Sequence, residues 1–453
     1  MAAMCDSGDN RNSNQDYRRE NMRTVHVWVF AGYLAVSIIS GAVSYADTIE
    51  VVSVNSAGKF GNNESSHPAI SADGRYVAFD STASNLAPGD TNGKKNIFVH
   101  DRQTGKTEVV SKNSAGTLAD TDSEHHSLSA DGRYVAFDSN ASNLAPGDAN
   151  GKANIFVHDR QTGKTTVISK NSAGVFGNGD SYHPAISADG RYVAFDSQAG
   201  NLAPGDTNGN ANIFIHDRRT GKTSIISKDS AGKPGNQNSF SPAISADGRY
   251  VAFLSQAANL VSGNINGKVN IFVHDRKTGK TTVTSKDSVG AFGNGDSYNP
   301  AISADGRFVV FDSQAGNLVP GDTNGNTNVF IHDRRTGETK LISKNSAGKA
   351  GNNASNHAAI SADGRYVAFE SAADNLVPGD TNGKDSDAFL YDRQTGEMKI
   401  ISKNSAGAQG SGSMCFNSAL SADGRYLAFE SAAGNLVPGD TNGVPDVFVR
   451  DGR

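Results

Sequence analysis

The chain has 453 residues with 42 Lys plus Arg against 47 Asp plus Glu, a formal charge of −5, so it lacks the clustered positive charge that nucleic-acid binding demands. Its 36% apolar content and 50 Gly are those of a globular chain with many tight turns, not of a disordered one. Two Cys and one Trp exclude a disulfide scaffold.

Residues 1–46 read as a segment apart from the fold. A polar stretch ends at Arg18, Arg19 and Glu20, and Met22 and Arg23 lead into an apolar run from Val25 to Val43. Ser44 and Ala46 then place small side chains three and one residues before Asp47, the pattern of a secretory signal peptide cut after Ala46. An uncleaved anchor is the alternative, since nineteen residues just span a hydrocarbon core of ~30 Å. With the signal removed, no membrane span is expected and Cys415 is the one remaining thiol.

Beyond Asp47 the sequence repeats. DGR followed by Tyr or Phe begins at Asp73, Asp131, Asp189, Asp247, Asp305, Asp363 and Asp423, at intervals of 58 residues five times and 60 once. Each unit contains four short runs rich in Val, Ile, Phe and Thr; in the first they are Ala69 to Ser71, Tyr76 to Ser81, Asn96 to Asp101 and Thr107 to Ser111. Two connections are tight turns, ADGR and RQTGK, and two are long, NLAPGDTNGK and NSAGKFGNNESSH with their flanks. In RYVAFDS, Tyr76 and Ala78 face one way and Val77 and Phe79 the other, so both faces of the sheet need cover. A small antiparallel sheet flanked by copies of itself is the blade of a β-propeller.

The chain ends strengthen that reading. TIEVVSVNSAG at 48–58 matches the fourth-run segment TEVVSKNSAG, whereas the chain stops after a third run, VFVRD. The expected fold is therefore all-β, a seven-bladed propeller over 47–453 whose N-terminal strand completes the last blade and removes an exposed edge.

PAISADGRYVAF followed by NIFVHDRQTGK resembles the WD40-like (PD40) repeat of TolB-type propellers. The resemblance covers 47–453. It implies export to the periplasm or beyond and binding rather than chemistry, although TolB has six blades and an extra α/β domain for which this chain has no room.

Antiparallel strands put both tight turns on one end of the ring and both long connections on the other, where a localised function belongs. Two groups of residues stand out there. The first is the GDTNG loop: Asp90 and Asn92, Asp148 and Asn150, Asp206 and Asn208, Asp322 and Asn324, with richer acidic sets at Asp380, Asn382, Asp385 and Asp387 and at Asp440, Asn442 and Asp446. Oxygen ligands on alternate loop residues suit Ca²⁺, while Asn-Gly turns with a capping Asp are the plainer reading. Asn264 replaces Asp in the fourth loop, which is expected to hold no ion.

The second group stands six residues before each DG aspartate: His67, His125, His183, Ser241, Asn299, His357 and Asn417. If the first strand is innermost, they ring the channel mouth, where three imidazoles can meet a metal. Tyr182, Phe240, Tyr298 and Phe416 precede four of them, and line a ligand or protein-docking surface or else pack in the core. The repeated His100, His158, His216, His274 and His332, replaced by Tyr391 and Arg450 in the last units, read as structural, as do the Asp and Arg of DGR and HDR. No HExxH, GxSxG or phosphate-binding glycine loop occurs. The sequence thus points to a monomeric, noncatalytic binding module for a protein or surface polymer. The alternative is a metal-dependent polysaccharide lyase or hydrolase using the mouth histidines.

Overall fold

The structure is a computed structural model that describes residues 48–452 except 91, 149, 207–208, 264–266, 323–324 and 412–414. The expected signal peptide lies outside the described residues. Among those described, no helix is long and apolar enough to cross a membrane.

Seven four-stranded antiparallel sheets form a β-propeller. In blade 1 the inner strand is Ser65–Ile70, followed outward by Tyr76–Ser81, Asn96–Asp101 and Lys106–Val109. Blade 7 takes Cys415–Leu420, Tyr426–Ser431 and Asp446–Asp451 from the C-terminal end, and its outer strand is Ile49–Val51. Ile49 pairs with Arg450 and Val51 with Phe448, and Val52 donates its amide to Val447 O at 2.8 Å. The orphan strand expected from the sequence therefore closes the ring.

Inner strands of neighbouring blades touch all the way round. At the short-turn end they are joined by a circle of backbone hydrogen bonds. Ala72 donates to Ala130, which donates to Ala188, and so on through Ala246, Ala304, Ala362 and Ala422, whose amide returns to Ala72 O at 3.0 Å. With partners spaced by ~4.8 Å, seven units make a backbone ring about 11 Å across.

The core consists of layers between blades. Ala78, Ile97 and Val99 of blade 1, for example, pack against Val135, Phe137 and Leu144 of blade 2. This is why the second and third strands are apolar on both faces. The DGRY turn supplies the lock between blades. Gly74 has φ of 75°, and a Cβ there would lie 2.2 Å from the ring of Tyr426 in the preceding blade. Only Gly satisfies both the left-handed turn and this close approach. Arg102 then covers the same ring, 4.3 Å from its centroid.

The Asp and Arg of DGR and HDR are structural and divide their work. Arg75 and Asp101 form a bidentate pair within one blade at 2.8 and 2.7 Å, which holds Asp101 well below the usual carboxylate range. Arg102 alone crosses to the neighbour. His100 is buried and its Nδ1 lies 2.8 Å from Thr107 Oγ1. Because that hydroxyl donates its proton to Val54 O, the imidazole carries its proton on Nδ1.

Candidate functional site

The inner strand runs from the long-loop end, so its third residue sits near that mouth. Between Ser66 and Ala69 the register against the second strand shifts, a β-bulge repeated in every blade. At each bulge the mouth residue is left-handed: His67, His125, His183, Ser241, Asn299, His357 and Asn417 have φ between 42° and 52°. His and Asn tolerate this region better than most residues, and the bulge re-aims each side chain toward the channel. These seven residues and the one following each, commonly Pro, enclose a shallow cavity of about 390 Å³.

Beneath the ring lies a set of carboxylates that repeat comparison did not single out. His67 Nδ1 is 3.1 Å from Asp80, His125 Nδ1 is 3.0 Å from Asp138 and His183 Nδ1 is 2.8 Å from Asp196, and His357 pairs with Glu370. The same acids reach across the blade boundary. Asp138 accepts the backbone N–H of His183 at 3.3 Å, Asp196 that of Ser241 at 3.1 Å, and Glu430 that of His67 at 3.3 Å. A buried carboxylate thus fixes both the side chain of one mouth residue and the strained backbone of the next. Leu254 takes this position in blade 4.

Electrostatics follow from the pairing. Hydrogen bonds to Asp80, Asp138 and Glu370 raise the pKa of His67, His125 and His357 above the ordinary histidine value. Asp312 has a long contact of 3.4 Å with Asn299, its Oδ1 has no hydrogen bond, and burial pushes it up to about 6. His126 stands where most blades have Pro. Burial takes it down to about 4 and both its ring nitrogens are without a hydrogen bond.

Tyr182, Phe240 and Tyr298 are half-buried and do not line the mouth cavity. Each is paired across the sheet with the residue at the brace position, Tyr182 with Asp196 for instance, so the side chain lies on a blade face and the bulge turns only its successor inward. The side chain of Phe416 lies outside the described part.

The GDTNG loops are tied by an amide. Asn96 Nδ2 donates to Asp90 at 3.0 Å and to Asn92 at 2.9 Å; Asn154 does so to Asp148 and Asn150, Asn212 to Asp206, and Asn328 to Asp322. Asn208, Asn264 and Asn324 fall outside the described residues. In blades 6 and 7 an acceptor, Asp387 or Asp446, stands where the donating Asn stands in the others. Gln409 substitutes in blade 6, contacting Asp380, Asn382 and Asp387 at 3.0–3.3 Å, with Asp385 half-buried beside them. In blade 7 Asp446 is buried and bonded to Ser53 and Asn442, and burial, aided by nearby Asp440, raises it to about 6. Among the described residues no three His, Cys, Asp or Glu side chains are arranged to hold a metal ion.

No protein-family model and no curated protein matches the sequence. Among solved structures, an oligogalacturonate lyase in complex with manganese aligns at TM-score 0.54 and 12% identity, over 90% of this chain and 94% of that one. The β-propeller domain of the Trilobed protease from Pyrococcus furiosus, described as having an open velcro topology, aligns at TM-score 0.51 and 14% identity, over 87% and 95%. Both likenesses are of fold alone. TolB from Acinetobacter baumannii aligns at TM-score 0.39 and 15% identity, over 84% and 82%, too distant to bear on function.

Proposed function

We propose that this protein is an exported, noncatalytic binding module whose ligand, a protein or a surface polymer, docks on the channel mouth. The observation that carries the reading is the seven-fold left-handed bulge, braced by a buried carboxylate in every blade but the fourth. The backbone of the mouth is held constant while its side chains vary among His, Ser and Asn. A rigid rim with interchangeable polar groups is preorganised for recognition, and backbone strain of this kind gathers at ligand clamps. The test compares capture from envelope and surface-polymer fractions by the wild type and by the triple variant His67→Asn, His125→Asn, His183→Asn. Asn occupies the same left-handed position at 299 and 417, so the variant folds. A species retained by the wild type and lost by the variant supports the reading; equal retention rejects it.

A second reading rests on the Asp–His pairs. Each of His67, His125 and His183 has Nδ1 on a carboxylate, the arrangement that orients Nε2 toward a metal, and the manganese-bound lyase shares the fold. Stoichiometric transition metal in the purified protein, with cleavage of a uronate polymer lost in the same triple variant, selects it. Calcium is a structural element of the proposal at one loop, Asp440, Asn442 and Asp446, where Asp replaces the amide donor of blades 1–3 and 5.

A further inference from the structure

The outer strands differ between blades at one position. At two interfaces a Glu on the outer strand of one blade meets the Arg that follows the third strand of the next. Glu108 accepts from Arg160 Nε at 2.8 Å, and Glu50 pairs with Arg102 in the same way. Cross-strand register places Glu108 opposite Val99, and the equivalent positions in blades 2, 3 and 4 are Thr166, Ser224 and Thr282. Their neighbours across the interface are Arg218, Arg276 and Arg334. Among the described residues, no carboxylate forms an ion pair with any of the three.

These guanidinium groups are nevertheless held. Each donates to a glycine carbonyl of the DGR turn and covers the aromatic ring of the previous blade at 4.1–4.5 Å. Arg334 Nε, the atom that Glu satisfies elsewhere, is buried with no hydrogen bond. An unpaired buried donor of this kind is costly and selects a charged acceptor. Burial also lowers the pKa of Arg218 and Arg334.

Beside each Arg lies a cavity, of about 300, 220 and 260 Å³ in turn. Lys164, Lys170, His216 and Arg218 line the first together with Asp159, whose carboxylate is engaged by Arg133; Lys228 with Arg276 and Lys286 with Arg334 repeat it, beside Asp217 and Asp275 held by Arg191 and Arg249. His216 has Nδ1 on Thr223, whose hydroxyl proton goes to Lys170 O, so Nε2 is a lone-pair acceptor suited to a hydroxyl. The pockets recur one blade apart, on the order of 15–20 Å given the strand spacing and seven-fold geometry.

We propose that these three rim pockets bind carboxylate groups of an anionic polysaccharide, each taking the place that Glu50 and Glu108 fill from within the chain. The repetition favours a polymer engaging several sites at once. The polar lining favours a glycan over an acidic peptide, because a peptide interface needs apolar anchors and the exposed large hydrophobic residues are only Val175 and Val289 among those described. The sites are distinct from the channel mouth and stand whether or not that mouth binds a ligand.

The test uses carboxymethyl-dextran, unmodified dextran and poly-L-glutamate as probes in solution binding at low and raised NaCl. The wild type is expected to bind carboxymethyl-dextran, with affinity falling as salt rises, and to ignore dextran. The variant Thr166→Glu, Ser224→Glu, Thr282→Glu supplies each Arg with the carboxylate found in blades 1 and 7. It should keep or raise the melting temperature and weaken binding by about ten-fold or more. The variant Glu108→Thr opens a fourth pocket and should tighten binding. Absence of binding by the wild type, or unchanged binding by the folded triple variant, overturns the proposal. Binding of poly-L-glutamate as tight as that of carboxymethyl-dextran overturns the assignment to a glycan.

Discussion

Replacing Gly190 by Ala perturbs the lock between blades at one place. Gly190 has φ of 70°, and a Cβ there would lie 2.2 Å from Cδ2 of Tyr134, a ring already covered from its other side by Arg218 at 4.2 Å. The left-handed backbone costs a non-Gly residue about 1–2 kcal/mol, and forcing the ring aside adds roughly 1–3 kcal/mol of overpacking. Gly163 is the control. Its φ is 72° but nothing lies within 4 Å of its Cβ position, so Gly163→Ala carries the backbone part alone. At about 2.1 cal/mol/K per residue, some 400 residues give an unfolding entropy near 0.85 kcal/mol/K. Gly190→Ala should therefore lower the melting temperature by about 2–6 °C and Gly163→Ala by about 1–2 °C. Differential scanning calorimetry of the two variants decides the matter. Equal shifts refute the idea that the DGRY glycine is selected by the neighbouring ring.

Acid should destabilise the fold between pH 6.5 and 4. Burial holds His158, His216, His274 and His332 near 4, so each favours folding fully above pH 6.5 and loses up to about 3 kcal/mol as pH falls toward 4. His216→Tyr, which copies Tyr391 of blade 6, should shallow that loss in melting curves taken across the range; an unaltered slope contradicts it. His67, His125 and His357 act in the opposite sense, since their raised values favour folding below pH 6.5 and lose that contribution as pH rises through them. Mutating all three to Asn should flatten the fall in melting temperature from pH 6.5 to 8. Asp446→Asn restores the amide donor that blades 1–3 and 5 use. With Asp446 raised to about 6, its ionisation works against folding above that pH, so the variant should be more stable at pH 7.5 without metal by about 1–3 kcal/mol. Addition of CaCl₂ should raise the melting temperature of the wild type and not of the variant; equal responses remove the calcium site.

Much of the architecture was legible because it repeats. The seven DGR turns fixed the period, and the match of 48–58 to a fourth-strand segment identified the strand that closes blade 7. The mouth ring was also legible, since His67 and its counterparts keep one position while changing side chain. The brace beneath it was not. Asp80, Asp138 and Asp196 sit in FDS segments that read as ordinary strand ends, and their partners lie 13 and 45 residues away across a bulge that the pattern does not show. Asn and His at a fixed place in a strand were the available signal, because both tolerate a left-handed backbone. The same bulge breaks the simple alternation that the pattern suggests for Tyr182 and His183. The difference between Glu108 and Thr166 is visible by eye, but its meaning depends on Arg160, 52 residues later and in another blade.

Both the mouth and the rim pockets depend on an unbroken circle, and native-state hydrogen exchange reads that circle amide by amide. Ala422 and Val52, whose N–H groups cross from blade 7 to Ala72 and from the first strand to Val447, should exchange as slowly as Ala130 and Ile168, their counterparts deep within the array. Rapid exchange at Ala422 and Val52 with protection retained at Ala130 and Ile168 would show an open seam between the first and last blades and contradict the account.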